Sequence, residues 1–135
     1  ALAHNITRFL LELGSGFAFV GRQMELRMPN GQSYFPDMVF YHIKMRCYVV
    51  VELKVVEFMP EFAGKLNFYV SAADHLLRSA EDNPTIGLLI CRSKDETIVQ
   101  WSLEGVNKPV GVASYQLQEI VEETLNAKEL GSVNA

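Results

Sequence analysis

An α/β domain with a central mixed sheet is the fold this sequence predicts, and three observations predict it. Runs rich in β-branched and aromatic residues, at positions 17–20, 38–41 and 47–51, follow one another, and each is too short for a typical helix. After Met59 the apolar residues change to helical spacing, with Phe62, Leu66, Tyr69, Val70, Ala73, Leu76 and Leu77 on one stripe. The continuous apolar run 85–91 comes next, and a strand reached across a long helix is most simply a parallel crossover onto the same sheet. The expected order is α-β-β-β-α-β-β plus a C-terminal helix, with helices flanking the sheet.

The first helix is expected over residues 5–13, with Asn5 as N-cap, a stripe of Ile6, Phe9, Leu10 and Leu13, and Gly14 and Gly16 closing it. Residues 17–20 and 23–28 form the first strand or strand pair; Gln23, Glu25 and Arg27 alternate with Met24, Leu26 and Met28, as in a strand with one wet face. Pro29, Asn30, Gly31 and Gln32 make a hairpin turn. Two more strands complete an antiparallel meander, and Pro60 sits at the first position of the main helix. Beyond Asn83-Pro84, residues 97–103 read as a second late strand with Trp101 in the core, and 109–113 as a short edge segment. Ser114 is expected to cap a last helix through about residue 127, with Leu117, Ile120, Val121 and Leu125 as its stripe and a frayed tail from about 130.

The chain of 135 residues fits one domain with a real core, and 49% apolar against 21% charged residues excludes a disordered chain. No run approaches the ~20 apolar residues of a membrane span, so no membrane partner is expected. Cys47 and Cys91 lie inside apolar runs and read as small buried thiols, which points weakly to a cytoplasmic setting. The net charge of −4 does not advertise a nucleic-acid partner, but residues 1–113 carry 11 basic and 12 acidic groups, so charge permits one. There is no Walker loop, dinucleotide-binding glycine pattern or zinc spacing, and His4, His42 and His75 are scattered.

The anomaly lies between Tyr34 and Lys54. Asp37 enters one apolar strand, and Glu52 and Lys54 leave the next, where a core strand should carry no charge. If Lys44-Met45 is a two-residue turn, Ile43 pairs with Arg46, paired numbers sum to 89, and Asp37 lies opposite Glu52. Directly opposed residues have Cβ atoms roughly 5 Å apart on one face. Two carboxylates so close repel unless a proton or cation lies between them. Lys54, two residues past Glu52, shares their face. Such a pair suits a hard divalent ion such as Mg²⁺. The competing reading is a plain salt bridge, with Lys54 neutralising both acids.

Pro36-Asp37, a gap of 14 residues and then Glu52-Leu53-Lys54 resembles the PD-(D/E)XK signature of restriction-endonuclease-like nucleases. The surrounding words are more specific: ELGSGFAFVGRQ at 12–23, FYH at 40–42, RCYVV at 46–50, EFAGKLNFY at 61–69, DNP at 82–84 and KPVGV at 108–112. Together they are similar to the C-terminal domain of the bacterial YhcG-type family of predicted nucleases, from about residue 9 to 115. The resemblance implies a restriction-endonuclease-like core, metal-dependent hydrolysis of nucleic acid, in the first place DNA, and a further N-terminal region of the same protein. It implies Mg²⁺ or Mn²⁺ on Asp37, Glu52 and the Leu53 carbonyl, with Glu12 of the first helix completing the metal shell, and Lys54 orienting or deprotonating water. Lys65 and Tyr69 resemble a Gln-x-x-x-Tyr pair of RecB-like members, with Lys in place of Gln; Lys65 would contact phosphate there, or else pair with Glu61 on the helix surface. Arg22 and Arg92, with Lys94, are candidates for flanking phosphates. A homodimer is compatible with this fold, many of whose nucleases cut as dimers. The alternative function is a catalytically silent nuclease-fold module that binds DNA or a protein partner.

Overall fold

The structure is a computed structural model that describes residues 16–115. The helices expected over residues 5–13 and beyond Ser114 therefore lie outside the described residues, as does Glu12. A five-stranded sheet has the order β1 (Phe17–Arg22), β4 (Met38–His42), β5 (Cys47–Glu57), β6 (Ile86–Ser93), β7 (Val110–Ser114). β1, β4 and β5 are antiparallel, while β5, β6 and β7 run parallel, so the sheet is mixed as expected. Helix α1 (Pro60–Leu76) makes the crossover from β5 to β6, with Pro60 at its start.

The sheet's two faces separate cleanly along β5 because side chains alternate. Met38, Phe40, Cys47, Val49, Val51 and Ile90 form a core on one face. On the other, Val50 packs against Tyr69 and Ala73 of α1, and Leu89 and Cys91 pack against Ala63 and Leu66. Gly87 lets the helix come close: an added Cβ would lie 2.6 Å from a Val70 methyl and 3.1 Å from Leu66. Cys47 and Cys91 are free, buried thiols on opposite faces. Asp74 ties α1 to two later segments, accepting from the Thr85 amide at 2.9 Å and from Lys108 Nζ at 3.2 Å.

The structure departs from the sequence reading in four places. Residues 23–28 do not extend the first strand; only β2 (Leu26–Arg27) is extended, and it pairs with β3 (Ser33–Tyr34) in a separate ribbon. The expected hairpin turn joins them, with Met28 N donating to the Gln32 carbonyl at 2.7 Å. Tyr34 sets the ribbon on α1, its ring 4.8 Å from Phe68 and 6.3 Å from Tyr69. Residues 97–103 are not a strand but most of α2 (Glu96–Leu103). Its β-branched residues mimic a strand, yet Asp95 caps the helix, accepting from Ile98 N at 3.0 Å, and the cap outweighs the weak intrinsic preference.

Trp101 accordingly is not core: it stands 69% exposed, and only Val99 of α2 is buried. Ser114 closes β7, and the helix expected to follow it lies outside the described residues. The expected edge segment before it is present as β7, one residue further along. The β4–β5 link is also longer than a two-residue turn: residues 43–46 all turn, Arg46 adopts φ +54°, and Arg46 N donates to the His42 carbonyl at 2.8 Å. The register survives, because His42 pairs with Cys47 and Met38 with Val51.

Candidate metal and phosphate site

Asp37 immediately precedes β4, led in by the buried Pro36, and Glu52 sits midway along β5. Continuing the β4–β5 register by one residue puts them opposite each other, as expected. Each acid takes a proton donor from the other's strand: the Asp37 amide donates to Glu52 Oε2 at 2.7 Å, and the Leu53 amide donates to Asp37 Oδ2 at 2.8 Å. Gln23, just past β1, adds two bonds to Asp37, one from its backbone N to the carbonyl at 3.0 Å and one from Nε2 to Oδ1 at 3.1 Å. By alternation Gln23 falls on the wet face of a strand, and although it ends the family word at 12–23, nothing in its spacing assigns it to Asp37.

Glu52 is the buried member, 4% exposed beneath α1. Burial pushes its carboxyl above the ordinary range, the Asp37 amide pulls it back, the Asp37 charge pushes it up again, and Lys65 and Lys54 each pull it down. Both lysine charges are therefore felt at Glu52, although neither lysine is within ion-pair distance of Glu52 or Asp37 among the described residues. Lys54 lies over the Phe62 ring of α1, 5.2 Å from its centre, which holds its stem on the α1 face. Lys65 lies over Tyr69, 5.6 Å from the ring centre. Tyr69 is buried; burial raises its phenol first, the Glu52 charge raises it further, and Lys65 partly offsets both. Lys65 thus turns toward Tyr69 and Glu52, and no Lys65–Glu61 ion pair is found among the described residues.

The other candidates lie elsewhere. Arg22 is exposed and pairs with Met38, whose side chain belongs to the core face remote from α1. Arg92 follows Cys91 of the α1 face and lies beside Tyr115, which packs on the remote core. Lys94 is ion-paired with Glu96 at the start of α2. The site brought together is Asp37, Glu52, the Leu53 backbone, Lys54, Lys65 and Tyr69.

These groups fit a divalent cation. A buried carboxylate whose charged form is disfavoured, facing a second carboxylate, gains most from a hard cation with oxygen preference. Among the described residues no three His, Cys, Asp or Glu side chains converge, so main-chain and water oxygens would complete the shell.

Comparison with known proteins fits this geometry. The family described as YhcG PDDEXK nuclease domain matches residues 1–130. The YhcG protein of Escherichia coli (strain K12) is 36% identical over 130 residues, covering 96% of this chain and 34% of its own length. The chain thus spans about a third of that relative. Among solved structures, a repair endonuclease from Pyrococcus abyssi superposes with a TM-score of 0.55 at 15% identity, covering 84% of this chain and 46% of its own. The EndoMS–dsDNA complex superposes at 0.58, also 15% identical, covering 84% and 44%. Both share the fold.

Proposed function

The chain belongs to the YhcG PDDEXK nuclease domain family, and we propose that it hydrolyses DNA phosphodiester bonds with Mg²⁺ or Mn²⁺ held by Asp37, Glu52 and the Leu53 carbonyl. The observation that carries this reading is the interlocked pair of Asp37 and Glu52, one of them buried and disfavoured as an anion, with Lys54 and Lys65 beside it. A divalent ion held there would supply Lewis-acid polarisation of the phosphate and make a nearby water easier to deprotonate.

The chain's own groups do the rest. Lys54, steered by Phe62, orients the attacking water and stabilises charge on the phosphate in the transition state. Lys65, exposed at the rim and turned toward Tyr69, grips a phosphate oxygen next to the scissile one. The Asp37 and Leu53 amides fix the two carboxylates, so neither must reorganise on binding. DNA is chosen over RNA because a fold neighbour is seen with double-stranded DNA. Glu12, outside the described residues, would add an oxygen ligand, as the family resemblance implies. A homodimer, which would bring one such site to each strand of a duplex, belongs to the proposal. So does a contribution to DNA affinity from a region matching the rest of the E. coli relative.

Cleavage of labelled single-stranded, duplex and branched DNA tests it. Wild type should cut at least one substrate with Mg²⁺ or Mn²⁺ and stop on chelation. Lys54→Ala should lose about 100-fold or more in rate while keeping its fold. Cutting that persists in chelator, or an unimpaired Lys54→Ala, would overturn the mechanism.

A further inference from the structure

Gln23 is held in a backbone conformation that residues with a side chain avoid, and everything it gains there goes to Asp37. Its φ is +51°, in the left-handed region where a Cβ crowds the neighbouring carbonyl. The preceding strand reaches this point through an irregularity, a register shift between Phe19 and Gly21 in the β1–β4 pairing. That shift brings Arg22 opposite Met38 and leaves Gln23 beside Asp37, where its backbone N and its Nε2 both donate to that residue.

Strained residues persist where their surroundings over-determine them, and they concentrate at functional sites. Gln23 is exposed, so water could satisfy its amide equally well. The contact therefore matters for what it does to the acceptor. Asp37 Oδ2 is fixed by the Leu53 amide from β5, and Oδ1 by Gln23 from beyond β1. Two donors on different oxygens, one from β5 and one from just beyond β1, approach from either side of β4 and set the plane of the carboxylate.

We propose that Gln23 is a positioning residue for Asp37, holding its carboxylate in the orientation in which it and Glu52 take a divalent ion. This rests on the metal reading above. Partners that orient a ligating carboxylate from outside the coordination shell commonly change metal affinity about 10- to 100-fold when removed.

The backbone strain supplies a clean test. Gln23→Gly removes the side-chain donor and also relieves the left-handed residue, whereas Gln23→Met keeps the length without a donor. Mn²⁺ affinity is measured by calorimetry and Tm by metal-free thermal unfolding, for wild type and both variants. Both variants should bind Mn²⁺ about 10-fold more weakly, while the metal-free Tm of Gln23→Gly stays within about 3 °C of wild type. Wild-type affinity in either variant overturns the assignment, and so does an affinity loss in Gln23→Gly accompanied by a large fall in Tm, which would make the contact structural. If wild type binds no Mn²⁺, the metal reading itself fails and this inference with it, an outcome distinct from the other two.

Discussion

Glu52 carries a conflict that the metal-free protein does not resolve. Its proton is bound more tightly in the folded chain than in the unfolded one, because burial, and then the Asp37 charge, disfavour the anion. The fold therefore loses stability as pH rises from the ordinary value of 4.5 through the raised one. Glu52→Gln keeps an oxygen for the Asp37 amide and removes the charge. It should stabilise the metal-free protein at pH 7 by on the order of 1 kcal/mol, an advantage that disappears near pH 4, while abolishing cleavage. Asp74 behaves in the opposite sense. Burial alone would raise its carboxyl, but the Thr85 amide and Lys108 hold it below the ordinary 3.8. Its contribution is complete above that value and is lost as pH falls through the lower one. Asp74→Asn should cost about 1–3 kcal/mol in denaturant unfolding at pH 7, and the difference from wild type should shrink below about pH 4. At this scale the sequence was informative where charge interrupted an apolar strand, as at Asp37, Glu52 and Lys54. It was silent on Gln23, whose role depends on a strand irregularity and a positive φ that no spacing rule encodes.

Elements whose burial pattern matched their period were legible, and the exceptions have physical causes. β4, β5 and α1 bury long apolar stripes, so periodicity found them, and the β4–β5 register followed even though the connecting turn is longer than assumed. α2 buries one residue, so its composition of Thr, Ile, Val and Trp suggested a strand and only the Asp95 cap argued otherwise. If α2 is a surface helix, Trp101→Ala should change stability by less than about 0.5 kcal/mol, whereas a core tryptophan would cost about 3–5. Gly87 makes the reverse case. With methyls of Val70 and Val110 and the Leu66 Cγ within about 3 Å of an added Cβ, Gly87→Ala should destabilise by roughly 1–3 kcal/mol in chemical denaturation, by pushing α1 off the sheet.

For the whole molecule, the net charge is −4, and among the described residues Lys54 and Lys65 are the cations whose charge is felt at Glu52. With two or three phosphate contacts, centred on Lys54 and Lys65, the logarithm of duplex affinity should fall with the logarithm of salt at a slope of about −2 to −3, measured by anisotropy. A slope near −6 would mean that a basic surface wider than Lys54 and Lys65 meets the DNA. The central claim is that Asp37 and Glu52 hold a divalent ion, and calorimetric titration of Mn²⁺ into wild type and Asp37→Ala tests it most directly. The account predicts a saturable heat in wild type that is lost in Asp37→Ala, with both proteins folded. No heat in wild type, or the same heat in the variant, would contradict it and leave Asp37 and Glu52 as a structural pair held by the Asp37 and Leu53 amides.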